Sequence, residues 1–299
     1  MKTPIPIKRR LIISQGGAGR QVVLTAAIRH LKNTYPKDEI LVASSWPEIF
    51  DGNEDISRIL NLNEASNFWY DFIRDFDGEI YAQDPYLTAP WMRDLPVHLR
   101  DIMTDQFGLK RGDAIPHIHI NEAELTNLQL GLHTDKPVCV IHLNGGSGEE
   151  AKYAWPRDVK WQQIEANLDR LAQKYYIVQL GLPNQKWNHY PKAQWVDTMT
   201  LRQACVLTYV ADYFVGIDSV FQHVRASSNR GGDVYWIASK PERLGWKNMK
   251  NIVPSKASQE LIEKKMGVTS RTKGLLPFDL NGTGPFTSEC PFPAGWQIF

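Results

Sequence analysis

Apolar residues along this chain fall into short runs, separated by glycine-bearing loops and by stretches of helical periodicity. Leu11-Ile12-Ile13 predicts a strand that runs into Ser14-Gln15-Gly16-Gly17-Ala18-Gly19-Arg20. Val22, Val23, Ala26, Ala27 and Leu31 then repeat at helical spacing, and Glu39 to Ala43 reads as the next strand. Strand, glycine loop, helix, strand is the opening of a parallel α/β unit. Residues 56–62 and 79–82 are expected as further short strands.

The pattern restarts near residue 136. Residues 137–143 form a continuous apolar strand of the fully buried type, ending in a second glycine loop, Asn144-Gly145-Gly146-Ser147-Gly148. A helix opened by Pro156 and Asp158 is predicted over 159–174, then a strand over 175–181 and a helix over 200–211. Strands at 213–217 and 233–238 flank a helix over 219–227. The fold class is therefore α/β, with two Rossmann-like domains facing across a cleft, at 1–133 and 134–270. Gly131, Thr134, Asp135 and Lys136 mark the junction. Residues 271–299, rich in Gly, Pro and Phe, are expected as an irregular tail packing on the body.

Composition narrows the function classes. A chain of 299 residues with 42% hydrophobic and 22% charged residues is an ordinary globular protein, which excludes disordered and fibrous classes. Its net charge of +1 gives no bulk attraction to nucleic acid or anionic membrane, leaving only a local patch. Cys139, Cys205 and Cys290 make neither a disulfide framework nor a zinc pattern, in keeping with a reducing cytoplasm. The N-terminal residues lack a signal-peptide core, and no apolar run approaches the roughly 20 residues of a membrane span, so no stable membrane insertion is expected.

The first glycine loop has the chemistry of a phosphate cradle, bare N–H groups at a helix start. As a dinucleotide fingerprint it lacks the third glycine, since position 22 is Val, and Asp38 or Glu39 only loosely matches the ribose acid. A tight turn is the simpler reading. In the second half, Gly216-Ile217-Asp218-Ser219-Val220-Phe221-Gln222-His223 crosses a strand end and a helix start. Ser219 is expected as N-cap, its neighbours offering N–H groups to an anion, with His223 one turn up on nearly the same face.

At these residues the chain resembles glycosyltransferase family nine, the ADP-heptose:lipopolysaccharide heptosyltransferases. The Arg20 loop, the Lys152-x-x-Trp155-Pro156 segment and the Gly216-x-Asp218-Ser219-x-x-x-His223 segment match in order and spacing over roughly residues 10–250. The resemblance implies a GT-B fold, with an acceptor-binding N-terminal domain and a nucleotide-sugar-binding C-terminal domain. It implies donor contacts from Ser147, Lys152, Asp218, Ser219 and His223, beside Asn144 of the same loop, while Glu242 is positioned to hold ribose hydroxyls. It also implies an inverting reaction without metal or cofactor, in which fixed donors and cations stabilise the leaving diphosphate.

One departure matters. The family places Asp directly after its glycine loop, where this chain has Arg20, and arginine cannot remove a proton at ordinary pH. Either another carboxylate is the base, or the acceptor is already anionic, or catalysis is lost. Asp84 is the candidate base, its plain alternative being a turn former before Pro85. Gly17, Gly19 and Arg20 then read as acceptor-binding, Arg20 holding a phosphate. Gly-Gly-x-Gly followed by a basic residue also resembles phage-encoded relatives acting on hydroxymethylated DNA bases in the host cytoplasm. For such an acceptor Lys8-Arg9-Arg10, Arg20, Arg74, Arg93 and Arg100 would form a basic rim, with Phe68-Trp69-Tyr70, Tyr81, Tyr86 and Trp91 as aromatic surface. A glycan acceptor with phosphates would use the same rim.

Remaining signals are weaker. His117-x-His119 supplies two imidazoles without a third ligand, so no metal is expected. Ser14, Ser44 and Ser45 lack a nucleophile-elbow context. The competing classes are an inactive nucleotide-sugar-binding protein, suggested by the missing Asp, and a nicotinamide-dependent oxidoreductase using Gly16 to Gly19.

Overall fold

The structure, a computed structural model, describes residues 7–64, 67–83, 97–131, 134–145, 157–237, 241–253 and 288–289. The chain divides into two compact units between Asn121 and Glu122.

The first unit holds a parallel sheet of β1 (Arg9–Ser14), β2 (Glu39–Ser44), β3 (Arg58–Asn61) and β4 (Glu79–Ala82), in the order β3-β2-β1-β4. On one face Leu11, Leu41, Ala43 and Leu60 pack with Phe68, Phe72 and Phe76. The alternate positions Ile12, Ser14, Val42 and Ser44 are wholly buried, and Ser44 Oγ donates to Gln21 of helix α1 (Ala18–Thr34) at 3.1 Å. Helix α1 starts four residues before its first periodic apolar residue, because Gly17 already serves as N-cap. Helix α2 (Leu99–Gln106), which the apolar pattern does not announce, packs on α1 and is capped by His98, whose ring accepts the Arg100 N–H at 3.1 Å.

The basic run 8–10 lies at the amino end of β1, opposite the glycine loop. Arg10 is 3% exposed, donates to Asp38 at 2.7 Å and Tyr81 at 2.7 Å, pairs with Glu79 and stacks on Tyr35. Lys8 pairs with Glu79 at 2.8 Å and Arg9 with Glu39 at 3.2 Å. The expected basic rim is therefore corrected at these three positions: parallel strands carry ligands at their carboxyl ends, and this run is neutralised at the other end. Arg74 and Arg100 pair with Asp75 and Asp101, each at 2.7 Å, while Arg93 lies outside the described residues.

The second unit builds a sheet in the order β11-β10-β9-β8-β5-β6-β7. Its strands are β5 (Val138–His142), β6 (Tyr176–Leu180), β7 (Gln194–Val196), β8 (Tyr213–Ile217), β9 (Asp233–Tyr235), β10 (Lys250–Val253) and β11 (Ser288–Glu289), parallel except for β11. Helix α3 (Glu122–Gly131), also unannounced, packs on α5 (Leu201–Val210), where Arg202 clasps Glu124 at 2.6 and 3.0 Å. Cys139, Ile141, Ile177, Val215 and Ile217 form one buried face with Leu168 and Leu171 of α4 (Glu165–Lys174). Val140, Val178 and Phe214 bury the other, so both faces are covered, as a parallel sheet requires.

Two predicted elements are corrected. The helix expected over 159–174 opens as a 3-10 turn at Trp161–Ile164 and becomes α-helical only from Glu165. Its presumed opener Asp158 is instead drawn back to the glycine loop. The strand expected over 233–238 ends at Tyr235. Helices α6 (Val220–Ser227) and α7 (Pro241–Leu244) complete the described helices.

Candidate functional site

In the second sheet the chain steps from β5 outward to β6 and β7, then returns to the far side of β5 as β8. This reversal makes the β5/β8 boundary a topological switch point, where the loops leaving the two strands diverge and open a crevice at their carboxyl ends. His142 stands opposite Gly216 there, so Asn144 and Asp218 leave adjacent strands.

The first two residues after Leu143, Asn144 and Gly145, are held by four hydrogen bonds. Gly145 N–H donates to Asp158 at 2.6 Å and the Asn144 amide to the same carboxylate at 3.3 Å. Asn188 donates to Asn144 Oδ1 at 3.1 Å, and Gln185 to the Gly145 carbonyl at 2.8 Å. Asn144 is 2% exposed, its amide engaged in this brace. Ser147, Lys152 and Trp155 lie outside the described residues.

At β8, Asp218 is 3% exposed and its carboxylate is engaged on both oxygens. Arg157 Nη1 donates to Oδ2 at 3.1 Å and Gln222 Nε2 to Oδ1 at 3.2 Å. Ser219 is the N-cap of α6 as expected, with extended backbone (φ −149°), but its hydroxyl does not cap. That oxygen is buried without a hydrogen-bond partner among the described residues, as is His142 Nδ1. The His142 ring meets Phe221, in the first turn of α6, edge to face at 4.6 Å.

His223 follows one turn later, buried beside Trp246, whose indole N–H donates to Nδ1 at 2.8 Å. That bond leaves the proton on Nε2. Burial pulls the His223 pKa down to about 4, the Arg157 charge adding to it and Asp218 opposing it. Burial and the Arg157 charge take His142 to about 3. Both rings are neutral at pH 7, so His223 offers a neutral donor, while Arg157 brings positive charge. Glu242 sits half-buried on the short α7 after β9.

Arg157 and His142 were not singled out by sequence. Arg157 directly follows Trp155-Pro156, but its link to Asp218 spans 61 positions and exists only through the switch point.

In the first unit, Gly16 takes a φ of +96°, and a Cβ there would collide with the Arg20 guanidinium. Arg20 folds back to donate to the Gln15 carbonyl, and Trp46 Nε1 donates to the Gly16 carbonyl at 2.7 Å. Gly17 is the exposed N-cap of α1, and Gly19 lies in its first turn. Ser14 Oγ, wholly buried at the end of β1, has no partner among the described residues. Gln83 ends the described stretch at β4, and Asp84 lies outside it. Among the described residues no group of three His, Cys, Asp or Glu is placed to hold a metal, and no helix is long and apolar enough to cross a membrane.

No family model matches the sequence, and no curated protein is significantly similar to it. Solved structures are similar in fold. A glycosyl transferase of family 9 from Veillonella parvula shares 17% identity over 90% of this chain and 92% of its own, with a TM-score of 0.66. The E. coli ADP-heptose LPS heptosyltransferase II shares 14% over 82% and 90%, at 0.63. E. coli heptosyltransferase WaaC with ADP shares 14% over 86% and 99%, at 0.58. The chain thus has the GT-B fold, similar to the structures of glycosyltransferase family nine and the ADP-heptose heptosyltransferases.

Proposed function

We propose that this protein is an inverting, metal-independent glycosyltransferase, moving a sugar from a nucleotide-diphosphate sugar to an acceptor hydroxyl. The observation that carries the reading is the switch point of the second sheet. There the first-turn N–H groups of α6, which have no intrahelical acceptor, the buried Ser219 hydroxyl, a neutral His223 and the Arg157 cation gather at one strand end. Such an end suits a diphosphate. The shared fold with family-nine structures, one of them with ADP, supports it.

In this mechanism a carboxylate, Asp84, removes the acceptor proton while the hydroxyl oxygen attacks the anomeric carbon from the face opposite the diphosphate. The C–O bond to phosphate breaks, and its electrons pass to the leaving diphosphate. Lys152, Ser219, His223 and the α6 N–H groups meet the growing charge, with Asn144 and Ser147 shaping the loop and Glu242 holding the ribose. Gly17, Gly19 and Arg20 face the acceptor.

For that acceptor a glycan hydroxyl is favoured over a hydroxymethylated base in phage DNA. Lys8, Arg9, Arg10, Arg74 and Arg100 are all paired with carboxylates, which removes most of the charge a DNA backbone requires. Arg20 standing where the family has Asp supports a second reading, a protein that binds the donor without turnover.

The test is thermal unfolding with ADP, UDP, GDP, CDP and NAD. Selective stabilisation by one nucleoside diphosphate, about 2.7 kcal/mol at 100 times its dissociation constant, is expected. Nucleotide release from the matching sugar donor with glycan or DNA acceptors, in chelator, then reads out transfer, and Asp84→Asn should abolish it while sparing donor binding. Stabilisation by NAD alone would overturn the reading. Donor binding without release would favour the inactive protein.

A further inference from the structure

We propose that Arg157, held in place by Asp218 and Gln222, is the residue that recognises the donor's second phosphate, with Asp218 acting as a positioning residue rather than a ligand contact. The inference rests on the donor-site reading above and deepens it.

Three observations place Arg157 there. The Arg157 side chain is 32% exposed while the Asp218 side chain it grips is 4% exposed, so the arginine lies at the open side of the pair and the carboxylate behind it. Asp218 accepts from Arg157 at 3.1 Å and Gln222 at 3.2 Å, and at 3% exposed it is shielded from a donor's hydroxyls. Two partnerless polar atoms lie beside this pair: Ser219 Oγ, on the next residue, and His142 Nδ1, whose 8%-exposed ring rests on Phe221 in the first turn of α6. A buried hydroxyl without a partner is costly, and an anion accepting from it removes that cost.

The chemistry favours a phosphate as occupant. A guanidinium offers parallel N–H donors that match two phosphate oxygens, and one edge remains on Asp218 to fix its plane. Both histidines nearby are neutral, so Arg157 is the cation among the described residues of this strand end. Without the Asp218 anchor the side chain would lose rotamer entropy on each binding event, and a carboxylate left alone there would repel the donor. The pair thereby forms a preset cation in place of a mobile one.

The experiment compares binding of the selected nucleoside diphosphate with its monophosphate by calorimetry, in the full chain. The wild type is expected to prefer the diphosphate by about 10- to 100-fold, the range of one or two charge-assisted hydrogen bonds. Arg157→Ala should erase that preference while monophosphate affinity stays within a few-fold. Arg157→Lys should keep only part of it. Asp218→Asn should lower the preference and reduce kcat more than it raises KM, a split that a purely structural role would not give. Should Arg157→Ala unfold because Asp218 is left buried and unpaired, the double variant Arg157→Met/Asp218→Asn removes both charges and carries the same comparison. Retention of the diphosphate preference in Arg157→Ala or the double variant overturns the inference alone. A wild type that binds neither nucleotide overturns the donor-site reading beneath it.

Discussion

His142 and His223 show how burial changes what a residue can contribute. An imidazole titrates near 6.5 in an unfolded chain, but the fold holds these two at about 3 and about 4. Between those limits the unfolded chain binds more protons than the native one. Stability from both rings is therefore full above about pH 6.5 and drains away as pH falls, down to about 4 for His223 and about 3 for His142, by several kcal/mol in total. Urea unfolding at about pH 7 and about pH 5 checks this, and equal free energies at the two would contradict it. Replacing His142 by Leu should flatten the slope, since Nδ1 has no partner to lose. Sequence placed His223 in the first turns of the helix, but its neutrality comes from burial and the Arg157 charge, with Trp246, 23 residues on, donating to Nδ1.

Among the elements, the segment Asn144–Gly145 that leaves β5 is held by residues far along the chain. Asp158 accepts from Gly145 and Asn144, while Gln185 and Asn188 arrive from the turn after β6. Asp158→Ala would strand a buried N–H and a buried amide, costing about 2–4 kcal/mol. The expected result is a lower urea midpoint together with weaker nucleoside diphosphate binding, while Asp158→Asn, which keeps one acceptor and turns an NH2 toward the other donor, recovers only part of both. An Ala variant as stable as wild type would show that the brace is not needed. Local signals were sufficient for β1, β2, α1, β5, β8 and α6, where apolar runs or periodicity are strong. They failed for α2 and α3, because α2 is built on His98 and on packing against α1, and α3 on the Arg202–Glu124 clasp. The 3-10 opening of α4 was likewise invisible, since Asp158 reads as a helix cap until its loop partner is known.

At the level of the whole molecule, each unit has its own sheet and its own core. A ligand seated at the β5/β8 switch point should therefore slow amide exchange mainly in the second unit, around residues 138–145 and 216–224, with β1 and β2 changed far less. Exchange measured with and without the stabilising nucleoside diphosphate decides this. Protection centred on Gly16 to Arg20 would move the donor to the first unit.

The sequence by itself determined the α/β class, the doubling of the unit, the first glycine loop and the Asp218-Ser219-x-x-x-His223 strand end. Each is encoded by neighbours within a few residues, through strand length, helical period and the backbone freedom of glycine. Tertiary structure alone decided which charges serve the site. It set the Lys8–Arg10 run at the wrong end of its sheet and paired it with Asp38, Glu39 and Glu79. It buried Asn144 in a brace, closed Asp218 behind Arg157 and made two histidines neutral. Ion pairs and desolvation act between residues tens of positions apart, and only the folded arrangement of strands brings those residues together.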